Sequence, residues 1–140
     1  MSFKGKPEKL VEQQVLAWCF KNNMFVKVFD SKAVWSPAAK MFKRSLNMSV
    51  GTPDILGVDI DGMFVGIELK AKGKEKVCRL EQRQFLEQVI NHNGFGCVIS
   101  SIEQLESLYL EFKNKKDKTL LLNALPKKVL INGKTMTLEC

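Results

Sequence analysis

Hydrophobic and polar positions change their period several times along this chain, and each change predicts an element. Val11, Val15, Trp18 and Cys19 recur at helical spacing behind Pro7, a residue suited to a helix's first turn, so a helix is expected over 8–22. Phe25-Val-Lys-Val-Phe29 reads as a short strand. Residues 30–52 keep no period and suggest a long loop, a kind that is usually functional or mobile. Asp54–Asp59 and Met63–Lys70 are β-rich runs separated by Asp61-Gly62, which predicts a hairpin. A charged connection over 71–79 leads to a helix over about 79–92, with Leu86, Val89 and Ile90 facing inward.

Gly96–Ser100 has the character of a third buried strand. Ser101 is placed to cap a further helix, with Gln104 at the reciprocal capping-box position. Ile102, Leu105, Tyr109 and Phe112 give that helix an apolar stripe. Lys113–Lys118 reads as its solvated end. Lys128–Ile131 and Lys134–Leu138 flank Asn132-Gly133, the strongest short hairpin signal in the chain, which could extend the sheet or pair with a second copy. The order α-β-β-β-α-β-α predicts an α/β fold, a mixed β-sheet flanked by helices on both faces. No repeat or low-complexity linker divides it, so residues 1–112 form the expected core and 113–140 an extension of the same domain.

Composition changes the picture at two points. The net charge of +7 favours polyanionic partners such as nucleic acid, and it is unevenly placed. Residues 1–50 hold nine Lys or Arg against three acids, while 51–100 hold six against seven, so the acids gather mid-chain between basic flanks. Cys19, Cys78, Cys97 and Cys140 show no metal-ligand spacing; three lie in apolar surroundings and suit small core residues in a reducing, cytoplasmic compartment. No apolar run approaches the ~20 residues of a membrane helix.

Candidate chemistry centres on Gly51-Thr-Pro-Asp54 and Glu68-Leu-Lys70. Glu68 and Lys70 are two apart on a strand and project from one face, while Leu69 enters the other. Such a charged pair on an apolar strand is costly to bury unless an ion or a partner satisfies it. Asp54 starts the preceding strand and brings a second carboxylate. Two hard oxygen donors suit Mg²⁺ or Mn²⁺, and with His92 the only histidine, a histidine-based site is nearly excluded. A lysine there can position the attacking water and offset phosphate charge. A surface Glu–Lys pair on an edge strand is the bland alternative.

Gly51-Thr-Pro-Asp-Ile-Leu-Gly57, Gly66-Ile-Glu-Leu-Lys70, Gly73, Gln82 and Phe85 together resemble the virus-type replication-repair nuclease domain of the PD-(D/E)xK superfamily, over about residues 8–101. The resemblance implies a restriction-endonuclease-like α-β-β-β-α-β core and Mg²⁺-dependent hydrolysis of phosphodiesters. It implies that Asp54, Glu68 and the Leu69 carbonyl hold metal and that Lys70 acts on the water. It also implies homodimers that cut branched DNA such as four-way junctions. Glu12, sharing a helix stripe with Val15 and Cys19, is the expected first-helix glutamate, with Glu8 as its rival. Gln82 shares an apolar stripe with Phe85, Leu86 and Val89, where a buried amide needs partners. The resemblance gives it a part in the active site.

Basic positions supply the expected DNA contacts. Lys40, Lys43 and Arg44 lie in the 30–52 loop with Trp35 and Phe42, which could stack on bases or simply pin the loop to the core. Lys72, Lys74, Lys76 and Arg79 follow the Glu-Leu-Lys motif and would grip the backbone or remain solvated charge.

The hairpin register decides whether the acids can meet. A two-residue Asp61-Gly62 turn would pair Asp54 with Leu69 and send Asp54 to the face opposite Glu68. A three-residue Ile60-Asp61-Gly62 loop pairs Asp59 with Met63, Leu56 with Gly66 and Asp54 with Glu68, with space left beneath Gly66. A left-handed Gly62 is what such a loop requires.

Overall fold

The structure is a computed structural model that describes residues 6–29, 34–38, 40–43 and 51–138, with the backbone alone at 6–8, 34–36 and 41–43. Helix α1 (Lys6–Lys21) leads into strand β1 (Phe25–Val28). Two short strands, β2 (Val34–Ser36) and β3 (Met41–Lys43), pair with each other inside the segment expected to be irregular. Strands β4 (Ile55–Val58) and β5 (Phe64–Leu69) follow, then β6 (Val77–Arg79) and α2 (Leu80–Asn91). Strand β7 (Phe95–Ile99), helices α3 (Ile102–Lys115) and α4 (Lys118–Ala124), and strands β8 (Lys128–Ile131) and β9 (Lys134–Thr137) complete the order.

The fold is mixed α/β with two mixed sheets and flanking helices. The larger sheet runs β1-β4-β5-β7, antiparallel except for the parallel β5–β7 pair. Its two faces are set by the alternation of β5 and β7. A Cβ on Gly66 or Gly96 would meet Leu86 of α2 at 3.4–3.5 Å, so Gly66 and Glu68 lie on the α2 face. Val65, Ile67 and Leu69 enter the opposite face, where α1 and α3 pack. There Phe95 meets Tyr109 edge-to-face at a centroid distance of 5.2 Å, and Trp18 meets the same ring likewise. Each such aromatic pair stabilises by about 0.5–1.5 kcal/mol beyond simple burial. Cys19 and Cys97 are fully buried in this layer and Cys78 is buried elsewhere; Cys140 lies outside the described residues.

Four expectations need correcting. The charged 71–79 connection ends in β6, which pairs in parallel with β8. The 128–138 hairpin therefore does not extend the larger sheet: with β6 it forms its own sheet, ordered β6-β8-β9. Its Asn132-Gly133 turn has φ of +50° and +77°, the left-handed pair that a two-residue hairpin requires. Residues 113–118 are not one helix end but a break, with Lys116 left-handed at the end of α3 and Asp117 capping α4 through Thr119 N–H. Ser101 accepts from Gln104 N–H at 3.3 Å as expected, but the Gln104 side chain turns to Ser100, whose N–H it accepts at 2.8 Å. That leaves the capping box half formed.

Candidate functional site

The β4–β5 register is the three-residue one. Leu56 opposes Gly66, Asp59 N–H donates to Met63 C=O at 2.9 Å, and Gly62 takes φ +79°. Continuing that register by two residues past Leu56 sets Asp54 opposite Glu68, on one face. The space beneath Gly66 is small: a Cβ there would meet the Leu86, Pro53 and Leu56 side chains at 3.5–3.6 Å, ordinary van der Waals contact.

The far end of the hairpin is locked by a residue that sequence reasoning took for an ordinary strand end. Asp59 Oδ1 accepts from the backbone N–H groups of Asp61 and Met63, both at 2.9 Å. Its Oδ2 accepts from Tyr109 Oη at 3.0 Å and from Lys113 Nζ at 3.1 Å. Burial alone would raise this carboxyl, but those hydrogen bonds outweigh it and hold the group below its ordinary value. The available signal was an acid closing a strand, with Tyr109 and Lys113 four apart on one helix face.

At the other end lie the candidate residues. Gly51 shapes the approach: its φ is +87°, and a Cβ there would sit 2.4 Å from the Glu81 backbone oxygen. Only glycine lets residues 51–53 pass so close to the start of α2. The Asp54 backbone carbonyl accepts from Phe29 N–H at 2.7 Å, tying it to the end of β1. Its carboxylate accepts from Leu69 N–H at 2.9 Å, a ladder position where β4 has already ended. The N–H and C=O of one strand residue point to the same neighbour. The Leu69 carbonyl is therefore directed to the Asp54 side.

Glu68 is 5% exposed and stands beside Asp54. Burial, then the bond to Asp54 and its charge, push Glu68 up to about 9, against the pull of Lys70 and Arg79. Its Oε2 is buried and has no hydrogen-bond partner. Lys70 Nζ donates to Gln82 Oε1 at 3.2 Å, and that oxygen also accepts from Arg79 N–H at 3.0 Å. Gln82, 6% exposed, thereby satisfies its burial and reaches back to the residue that caps α2.

The fold thus brings together Asp54, Glu68, Leu69, Lys70 and Gln82. Glu12 is on α1, half-buried, and has interactions of its own. Among the described residues no three His, Cys, Asp or Glu side chains gather into a metal-binding group. The Glu8 and Lys43 side chains and all of Arg44 lie outside the described residues. Lys40, Lys72 and Lys74 are exposed, and Trp35 and Phe42 are opposed in the β2–β3 register.

The donor set fits a small hard cation. Mg²⁺ characteristically keeps several waters and binds through one or two carboxylates plus substrate phosphate. Here two carboxyl groups stand together, with one unpartnered buried oxygen and a carbonyl directed to the same side. No protein-family model, curated protein or solved structure matches the chain. No helix among the described residues is long and apolar enough to cross a membrane.

Proposed function

We propose that this chain is a divalent-metal-dependent DNA endonuclease on a restriction-endonuclease-like core, acting on branched DNA of the four-way-junction kind. The observation that carries the reading is the buried Asp54–Glu68 pair with an unpartnered Glu68 oxygen, on the same face as a lysine two residues on. A buried acid lacking a partner is costly, and a cation bound between the two carboxyl groups would relieve that cost. The element order α1-β1-β4-β5-α2-β7 supports the same reading.

Asp54, Glu68 and the Leu69 carbonyl would hold Mg²⁺ or Mn²⁺. Such an ion polarises a phosphoryl oxygen and makes water a better nucleophile near neutral pH. Lys70, held by Gln82, would bring a positive charge and its two remaining donors to a phosphate oxygen or the attacking water. In hydrolysis the water oxygen bonds phosphorus, the bond to the leaving sugar oxygen breaks, and that oxygen takes a proton. The net charge of +7 draws DNA toward the chain, and Lys72 and Lys74 stand just after the catalytic strand.

The test is incubation of the purified chain with a four-way junction, a flap and a linear duplex, each with Mg²⁺ or with EDTA. The reading expects Mg²⁺-dependent cleavage, with the junction cut in preference. An absence of cleavage with both Mg²⁺ and Mn²⁺ removes it.

A further inference from the structure

A cavity of about 560 Å³ opens across β7 from the carboxylates. Val98, the register partner of Glu68, and Ile99, whose carbonyl accepts from Lys70 N–H at 2.9 Å, form its sheet side. Leu108, Leu125 and Pro126 complete an apolar floor, while Gln104, Ser107 and Asn123 place amide and hydroxyl groups on the walls. The volume lies in the ~300–1,000 Å³ range of small-molecule sites.

The charges around the cavity are of two kinds. Lys76, Lys127 and Lys128 line it, are exposed, and have no ion-pair partner among the described residues. Glu111 also lines it but is engaged by Lys115 at 3.0 Å. Nearby donors, its own backbone N–H first, hold the Glu75 carboxyl below its ordinary value, and its Oε2 is buried without a partner. The cavity therefore combines an apolar floor, unneutralised cations and one unused buried acceptor. Those features match a nucleotide: an apolar aromatic base with N–H donors on its edge, joined to phosphate.

We propose that this cavity receives one unpaired nucleotide of a DNA substrate, its base on the apolar floor and its flanking phosphates against Lys76, Lys127 and Lys128. A paired base is held in its stack and enters only if unpairing is supplied, so the cavity selects DNA already unpaired near the scissile phosphate. The choice of DNA as ligand rests on the nuclease reading; the binding itself needs neither metal nor cleavage.

The test measures affinity, in EDTA, for a duplex carrying a single bulged 2-aminopurine and for the fully paired duplex. The wild-type chain is expected to favour the bulged duplex by about tenfold, with altered 2-aminopurine fluorescence. Ser107→Trp and Ala124→Trp, each filling the cavity from an exposed position on a different wall, should remove that preference and leave paired-duplex affinity unchanged. Melting temperatures establish that each variant is folded. Equal wild-type affinity for the two duplexes, or a preference that survives in both folded variants, overturns the proposal. Bulge preference without cleavage in either Mg²⁺ or Mn²⁺ would remove the nuclease reading and leave the nucleotide site standing, and cleavage without bulge preference would do the reverse.

Discussion

The Lys70 ammonium donates to a Gln82 oxygen that is already bonded to the Arg79 backbone N–H, so one amide holds both the candidate catalytic lysine and the start of α2. Gln82→Met keeps the buried volume and loses both bonds. It should cost about 1 kcal/mol of stability through the lost cap. It should also slow cleavage by roughly tenfold through the loosened lysine, with little change in DNA affinity. Single-turnover kinetics and thermal unfolding separate the two effects. A Met variant that cleaves at the wild-type rate rules out the positioning role.

Asp54→Asn and Glu68→Gln test the acids themselves. Each should lower Mg²⁺-dependent cleavage by about 10²–10³ or more while DNA binding stays near normal. Glu68→Gln should not lower the melting temperature of the metal-free protein, because it removes the cost of a desolvated carboxyl and keeps the shape. Normal turnover by Glu68→Gln would falsify the metal-site assignment.

Asp59 makes stability depend on acid in a defined direction. Its folded value lies below the unfolded one, so its contribution is complete above the ordinary carboxylate range and is lost as pH falls through the folded value. Asp59→Ala should cost about 2–4 kcal/mol near neutrality, since Lys113 and the Tyr109 hydroxyl both lose an acceptor at a fully buried side chain. The gap in melting temperature between wild type and variant should then narrow from pH 6 down to pH 2. A constant gap across that range contradicts the linkage.

Exposed Lys72 and Lys74 should contribute binding and not chemistry. Replacing both with Ala should weaken all DNA substrates alike. The log–log salt dependence should fall by about 0.9 for each phosphate that the variant no longer neutralises. Titrations at several salt concentrations measure both quantities, and an unchanged slope would place these residues off the DNA path.

How much of this was legible in the sequence varies with the distance over which each feature is decided. The helices α1, α2 and α3 and the four strands of the larger sheet carry their period locally, and the sequence places them within a few residues. The face argument for Asp54 and Glu68 also worked, because strand parity and a glycine at the third loop position are local facts. Strand β6 was missed because Val77-Cys-Arg79 is three residues long and its partner lies at 128–130. No local period announces a pairing made at that separation. Helix α4 hid behind the lysines of 113–118, whose left-handed Lys116 divides what reads as a single helix. Gln104 departed from its expected cap because a buried Ser100 N–H at the end of β7 offered another partner. Glu12 was rightly placed on the first helix, beside the buried Val15 and Cys19.

The β6–β8 pairing sets an order of assembly during synthesis. β4 and β5 are contiguous and need only a three-residue loop, so the two acids can be brought together as soon as Lys70 has emerged. β6, which ends at the residue capping α2, pairs with residues that follow it by about 50 positions. At ~5–20 residues per second that interval is several seconds. Through it the hairpin of the two acids has all its residues while the strand leading into the Gln82 helix still lacks its neighbour, and the basic cavity wall formed by Lys127 and Lys128 has yet to be made. A nascent chain therefore completes the hairpin of the two acids and the Lys127–Lys128 wall at separate moments, with the wall arriving last.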